Sequence, residues 1–221
     1  MSEQEPDILP DNLANPDPKL FYELISTTTL TTHHISQRNS PSTPLYCVKK
    51  HASFSKKPDV TLHHGDSNTG AVLGVVRLGL REYAIGIGDP DALLEEGNAD
   101  ERVVWERLLR ANKWDHKIYE FEYENGAGGG PRTKFTWRWT NPWLLRAPRD
   151  LELCVGSPAD GEGELVARFR KTDWRFIKRG SLFIKRRYGD DGGEQREEQR
   201  KKWELFVLLT ALGIIEGVAR R

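Results

Sequence analysis

Short runs in which apolar and polar residues alternate recur along most of the chain, and turn-forming residues separate them. The pattern is clearest over residues 134–140, where Phe135, Trp137 and Trp139 alternate with polar side chains. Successive side chains of a β-strand point to opposite faces of a sheet, so this alternation predicts a strand with one dry and one wet face. Such strands are typical of antiparallel sheets that meet water on one side.

The same pattern predicts twelve strands, at residues 20–26, 45–51, 60–64, 71–77, 82–87, 103–109, 117–123, 133–140, 151–155, 164–169, 173–177 and 181–188. Residues 27–44 are rich in Thr, Ser and His and are predicted to form a loop. Residues 1–19 hold four prolines and no periodicity, and are predicted to be a disordered leader. Strands at this regular spacing predict an all-β sandwich or barrel.

The C-terminal part of the chain has a different pattern. Residues 205–215, LFVLLTALGII, contain no charge and one hydroxyl group, and they follow a charged, helix-favouring run at 194–202. The sequence therefore predicts a helix over about 194–219 that is apolar on every side, and such a helix must be enclosed by protein or by lipid.

A buried core helix and a membrane tail anchor are the two alternatives for this segment. Glu204 and Glu216 bracket the apolar run, and twelve residues at ~1.5 Å each span about 18 Å, well short of a ~30 Å hydrocarbon core. The length favours the buried helix. A barrel of twelve strands has an interior too wide for its own side chains to fill. We therefore expect residues 20–221 to form an all-β barrel of about twelve antiparallel strands that encloses a hydrophobic C-terminal helix.

Charge and cysteine content limit the function classes. The chain has 33 Lys and Arg and 33 Asp and Glu, so its net charge of zero argues against general nucleic-acid binding. Residues 1–100 carry 8 basic and 14 acidic residues, and residues 101–221 carry 25 and 19. Cys47 and Cys154 give neither a zinc spacing nor a disulfide framework. The N-terminus lacks the apolar region of a secretory signal, so we expect a cytoplasmic protein with reduced thiols.

The strongest candidate for a binding site is a basic stretch over residues 164–188. Its nine cations, against Glu164 and Asp173, are Arg168, Arg170, Lys171, Arg175, Lys178, Arg179, Lys185, Arg186 and Arg187. Trp174 and Phe176 lie between them, as at a membrane interface. We interpret this stretch as a surface for phosphoinositide or other anionic lipid, because each cation near such a membrane contributes about 1 kcal/mol. The alternatives are a solvated outer face and a surface for an acidic protein partner.

Other chemical signals in the sequence are weak. The glycine loop at 126–130 lacks the Gly-Lys-Ser/Thr ending of a phosphate-binding loop and is interpreted as a hairpin loop. The pairs at 33–34 and 63–64 offer one histidine per strand face, so no metal site is expected. No cofactor or catalytic motif is predicted, and an enzyme with an unrecognised site is the less favoured alternative. Among the tryptophans, Trp105, Trp137 and Trp139 are predicted to be core, and Trp143 to be exposed.

Several short motifs in this order resemble the tubby C-terminal-like superfamily. They are IGIGDP at 85–90, KFTWRW at 134–139, LVAR at 165–168, KRGSL at 178–182 and the helix at 205–221. Within that superfamily, which also includes the LURP-one-related proteins, the chain resembles short uncharacterised fungal proteins. The resemblance implies a twelve-stranded barrel around a central helix and a non-catalytic, peripheral membrane-binding or adaptor role. The cysteine clusters and calcium-binding segment of the related scramblases have no counterpart, so scramblase activity is not expected.

Overall fold

The computed structural model describes residues 20–26, 31–37, 40, 42–52, 55–90, 103–112, 115–124, 131–140, 150–156, 163–171, 178–185 and 194–220. Within them it forms twelve strands followed by one helix. The elements are β1 (Leu20–Ser26), β2 (Thr32–Gln37), β3 (Pro44–Lys50), β4 (Val60–His64), β5 (Val72–Leu78), β6 (Glu82–Ile87), β7 (Val104–Asn112), β8 (Asp115–Glu124), β9 (Arg132–Trp139), β10 (Asp150–Val155), β11 (Leu165–Lys171), β12 (Lys178–Ile184) and α1 (Glu194–Ala219).

The strands form one closed antiparallel barrel in which each strand pairs with its neighbours in sequence. The first and last strands close it, with Phe21 opposite Phe183 and Leu24 opposite Gly180. Closure leaves no strand edge unpaired, which removes the usual site for aggregation through sheet edges. The predicted barrel of about twelve antiparallel strands is confirmed.

Eleven of the twelve predicted strands overlap an observed strand, and those at 20–26, 60–64 and 82–87 match at both ends. The predicted strand at 173–177 and the predicted leader at 1–19 lie outside the described residues. The predicted loop at 27–44 is wrong, because β2 occupies Thr32–Gln37. Its sequence is polar, but β1 and β3 pair with it on both sides, and Ile35 and His33 are buried. Backbone pairing with β1 and β3 therefore stabilises β2, whereas the amino-acid composition of this segment does not predict a strand.

Helix α1 lies inside the barrel. All nine residues from 206 to 214 are buried, so no face of the helix is left for solvent. Phe206 packs edge to face against Phe121 of β8, with ring centroids 5.1 Å apart. Thr210, the one hydroxyl in the apolar run, accepts a hydrogen bond of 3.0 Å from the indole Nε1 of Trp137. That bond satisfies both buried polar groups and fixes the helix against β9.

Glycines allow the helix and the sheet to approach closely on the β4–β6 side. A Cβ at Gly74 of β5 would lie 2.5 Å from Leu209, and a Cβ at Gly217 of the helix would lie 2.1 Å from the hydroxyl of Tyr83. These contacts are too short for any side chain, so a larger residue at either position would force the neighbour to move.

Of the three tryptophans predicted to lie in the core, two do and Trp105 does not. Trp137 is fully buried and Trp139 packs against the core at its edge. Trp105 is 43% exposed on the outer face of β7, which contradicts the prediction. It lies opposite Gly86, whose missing side chain leaves room for the indole ring on the outside of the sheet. Leu108 is the residue of this strand that fills the lumen, opposite Tyr83. Trp143 lies outside the described residues.

Candidate binding surface

The cavity that the described residues form beside the helix is too small for a ligand. A cavity of about 10 Å³ lies between Leu208 and Leu212 of α1 and the apolar side chains of Ile35, Phe169 and Leu182. That volume is at the lower limit for a single water molecule, and its lining is almost entirely apolar, with Tyr22 as the lining residue that carries a polar group. Any ligand of this cavity would have to displace packed side chains, so we look for binding on the outside of the barrel.

The nine predicted site residues lie along β11, β12 and the segments that follow each of them. Side-chain positions are described for three of them, Arg168, Arg170 and Lys185. For Lys171, Lys178 and Arg179 the structure gives the strand position alone, and Arg175, Arg186 and Arg187 lie outside the described residues. Lys171 and Arg179 lie at the same end of two paired strands, because Lys171 is opposite Gly180.

All three described cations are bound to carboxylates. Arg168 forms an ion pair with Glu152, its cross-strand neighbour, and Arg138 approaches the other oxygen of Glu152 at 3.7 Å. Arg170 Nε lies 3.5 Å from Asp150 Oδ2. Ion pairing of this kind continues round the outer face, where Lys134 Nζ is 3.0 Å from Glu120. These pairs neutralise part of the positive charge that the sequence of this stretch suggests.

Lys185 and Asp150 complete the charge pattern of this face. Lys185 Nζ lies 3.4 Å from Glu164 Oε1, and both side chains are partly open to water. Burial raises the pKa of the Asp150 carboxyl, and the attraction of Arg170 and Arg168 opposes that shift. The cations nearest to β10 therefore serve chiefly as counter-ions for buried carboxylates. The predicted site residues with no described carboxylate partner belong to the β11–β12 hairpin end and to the segment after β12.

A second ionic cluster holds the C-terminal end of the helix. Glu216 forms ion pairs with Lys50 of β3 and, at 3.0 Å, with Arg220 Nε. Arg220 also binds Asp59 and donates a hydrogen bond of 2.8 Å to the carbonyl oxygen of His51. Burial disfavours the charged form of Glu216, but hydrogen bonding and attraction from Lys50 and then Arg220 outweigh it and lower the pKa of this carboxyl. The cluster ties the helix to the β3–β4 end of the barrel.

The outer face of β5–β7 carries an apolar patch that the sequence did not reveal. The guanidinium carbon of Arg77 lies 5.5 Å from the centroid of the Trp105 ring, within the range of a cation–π contact. Leu109, two positions beyond Arg107 on the same strand, is 44% exposed. The alternation of inward and outward positions along β7 is the sequence feature that could have predicted this patch. Once Leu108 is assigned to the lumen, the odd-numbered residues must face outward.

The described part of the chain shows neither a metal-binding cluster nor an activated thiol. Within it, no group of three or more His, Cys, Asp or Glu side chains is placed to bind a metal ion. Cys47 and Cys154 are free and buried, and burial raises the pKa of both thiols, so neither has the character of an activated nucleophile. The described residues also contain no helix that is long and apolar enough to cross a membrane.

Comparison with known proteins adds no assignment. The chain matches no protein-family model, no curated protein and no solved structure.

Proposed function

We propose that this protein is a non-catalytic binding module of the tubby-like kind, which docks reversibly on anionic phospholipid, including phosphoinositides, at a cytoplasmic membrane face. The filled lumen supports this proposal because it directs binding to the outer surface. The single observation that carries it is the β11–β12 hairpin end. There, residues 171–179 hold four cations against one carboxylate, together with Trp174 and Phe176. Aromatic rings beside cations suit the boundary between lipid head groups and acyl chains.

Co-sedimentation with liposomes tests this proposal. Wild-type protein is expected to sediment with phosphatidylcholine vesicles that contain phosphoinositide and to stay in solution with phosphatidylcholine alone. Replacing Arg175, Lys178 and Arg179 by Ala is expected to lower the affinity roughly 100-fold, since each cation contributes about 1 kcal/mol near an anionic surface. Higher salt should weaken binding by the wild type.

The matched control removes the same charge from cations that already have carboxylate partners. Arg107, Arg132 and Lys134 pair with Glu82, Glu106 and Glu120, respectively, so the triple Ala variant at these positions is expected to keep most of the affinity. Equal losses in the two triple variants would mean that net charge alone drives binding. No sedimentation of the wild type at low salt would refute the proposal.

A protein-interaction role is the second candidate, and the patch around Trp105 favours it. An exposed tryptophan with Arg77 over its ring resembles the aromatic and arginine anchors of protein interfaces. The same experiment separates the two candidates, because Trp105→Ala should leave vesicle binding unchanged if the lipid surface is the β11–β12 end.

A further inference from the structure

A small apolar cluster lies on the outside of the barrel, over β5, β6 and β7. Gly86 faces outward, because Ile85 beside it on β6 is part of the luminal core. A Cβ added to Gly86 would lie 3.0 Å from side-chain atoms of Val75, Val103 and Trp105, so these three side chains converge over the glycine. Val75 and Val103 are 1% and 6% exposed, although neither belongs to the cluster that fills the lumen. Trp105 is therefore the exposed part of a second, smaller hydrophobic layer.

Arg77 of β5 reaches over β6 to the ring of this tryptophan. The outward residues of β6 between the two are Ala84, opposite Arg77, and Gly86, opposite Trp105. Their small size leaves open the space that the guanidinium group crosses to come within 5.5 Å of the ring centroid. A cation at this distance from an exposed ring gains about 0.5–1 kcal/mol. Strand register thus sets a tryptophan and an arginine side by side on the outer surface.

The positive charge beside Trp105 is not neutralised by the described carboxylates. Glu82, the carboxylate that β6 contributes to this face, is bound by Arg107 of β7. Arg77 and Arg81, which lies in the turn between β5 and β6, are both exposed, and neither forms an ion pair within the described part of the chain. The contact with the ring holds Arg77 in place and leaves its charge uncompensated. Either guanidinium group is therefore available to a carboxylate from outside the protein.

Negative charge borders this surface on the side of β8, which follows β7 round the barrel. Glu120 binds Lys134 of β9 at 3.0 Å, whereas the side chain of Glu122 is 64% exposed and lies 4.0 Å from Arg132. A flat anionic bilayer laid against this face would bring its head groups close to Glu122 as well as to Arg77. A narrow ligand can contact β5–β7 without reaching β8. The charge pattern therefore favours an extended segment of a protein over a membrane.

We propose that the surface formed by Arg77, Arg81 and Trp105 docks an acidic segment of a partner protein. An apolar side chain of that segment packs on the Trp105 ring, and neighbouring carboxylates bind Arg77 and Arg81. Tryptophan and arginine are the residue types that most often carry the affinity of a protein interface. This inference develops the protein-interaction candidate, and it does not depend on lipid binding.

The place of this surface in the barrel leaves the candidate lipid surface uncovered. In the closed strand order, five strands separate β6 from β12 in either direction, so these two strands lie on opposite sides of the barrel. A partner on β5–β7 and a membrane beside β11 and β12 can therefore be bound at the same time. Simultaneous binding of two macromolecules is what an adaptor requires.

Selection from a library of random displayed peptides tests the chemistry of recognition. Immobilised wild-type protein is expected to enrich peptides that combine Asp or Glu with a large apolar residue, and the Arg77→Glu protein should not enrich them. Enrichment of peptides without acidic residues would overturn the proposal, and so would the absence of any enrichment by the wild type.

Fluorescence polarisation with one enriched acidic peptide measures the contribution of each side chain. Trp105→Ala is expected to weaken binding about tenfold or more, and Arg77→Ala about fivefold. Val104→Ala is the matched control for the tryptophan, because it shortens an exposed apolar side chain on the other face of the same strand. Lys134→Ala removes a cation that Glu120 already binds. Both controls should keep the wild-type affinity, and equal losses in Trp105→Ala and Val104→Ala would contradict the proposal.

Charge reversal separates recognition from loss of folding. Arg77 is exposed, so the Arg77→Glu protein should fold, and it is expected to lose the acidic peptide. It should also bind a copy of that peptide with Lys in place of each acidic residue more tightly than the wild type does, and such a gain cannot come from unfolding. Undiminished binding of the acidic peptide by Arg77→Glu would overturn the proposal.

Vesicle sedimentation of the same proteins keeps the two functions apart. The Arg77→Glu protein should sediment with phosphoinositide vesicles as the wild type does. Vesicle binding without peptide binding would refute the docking surface alone, and peptide binding without vesicle binding would refute the lipid proposal alone.

Discussion

The inner and outer faces of the same strands are built on different physical principles. On β9, Phe135 and Trp137 point into the lumen and are fully buried, whereas Lys134 and Arg138 point outward and bind carboxylates of the neighbouring strands. The inner face is held by close packing against one helix, and hydrogen bonds from Trp137 to Thr210 and from Tyr22 to Glu204 join sheet and helix. The outer face is held together by cross-strand ion pairs such as Arg168–Glu152.

Because of this difference, a run of cations in the sequence does not by itself show a positively charged surface. Arg168 and Arg170 look like a basic surface along the chain, but their cross-strand neighbours Glu152 and Asp150 come from a different strand. Ion pairs that are open to water, such as Arg107–Glu82, contribute little free energy, while packing losses in a filled lumen are large. Substitutions on the two faces should therefore differ in their cost, and the following changes test that expectation.

The largest effect is expected for a charge placed in the lumen. Leu212 is buried on α1, and Leu212→Asp would place an unpaired carboxylate among apolar side chains, at a cost on the order of 3–5 kcal/mol. Thermal or urea unfolding, monitored by tryptophan fluorescence, measures this loss in the free energy of unfolding. Val218→Asp, at an exposed position of the same helix, is the matched control and should cost far less. A folded Leu212→Asp protein with an unchanged melting temperature would refute the enclosed helix.

A smaller loss is expected from a single added methyl group where sheet and helix touch. Gly74→Ala would bring a Cβ within 2.5 Å of Leu209 and within 2.8 Å of the backbone oxygen of Gly86. Because the second neighbour is backbone, we expect a cost of about 1–3 kcal/mol in urea unfolding.

Gly213→Ala is the control for that change. Its Cβ would meet Val76 at 3.0 Å, which a small movement of one side chain can relieve, and alanine favours a helix over glycine by about 1 kcal/mol. The Gly213→Ala protein should therefore be close to wild type in stability. If Gly213→Ala cost more than Gly74→Ala, the close approach of Gly74 to Leu209 would be wrong.

The smallest effect concerns two glutamates of similar burial. The side chains of Glu216, at the helix end, and Glu152, on the outer face, are 10% and 11% exposed, and each meets two cations. Glu216→Gln should cost about 1–2 kcal/mol at neutral pH, because Lys50 and Arg220 lose a charged partner. Glu152→Gln should cost about 1 kcal/mol or less, since Arg138 beside it is open to solvent.

The pH dependence gives a further check on Glu216. Its pKa is lowered in the folded state, so its stabilisation is complete above the ordinary glutamate pKa of about 4.3. That stabilisation is lost as the pH falls through the lower, folded-state pKa. Urea unfolding from pH 7 to 3 should therefore show the gap between wild type and Glu216→Gln closing below about pH 4.3. A gap that stays constant over this range would contradict the ionic role of Glu216.

Alternation and helix composition were enough to predict most of the fold. The alternation along β9 and the apolar run from 205 to 215 each predict which residues are buried. Residue type and the repeat lengths of a strand and a helix are local properties, so the sequence is enough to show them. Two local predictions were wrong for an identifiable reason. β2 is polar in sequence and forms through pairing with β1 and β3, and Trp105 is large and apolar but lies over Gly86 on the outside.

The candidate surface depended much more on the tertiary structure. The sequence alone determined that cations and aromatic residues concentrate late in the chain, since composition is fixed residue by residue. The pairing of β10 with β11 decided which of those cations meet carboxylates, because it sets Arg168 opposite Glu152 and Arg170 opposite Asp150. Such side-chain partners depend on the register between two strands, and the local pattern within one strand does not encode that register.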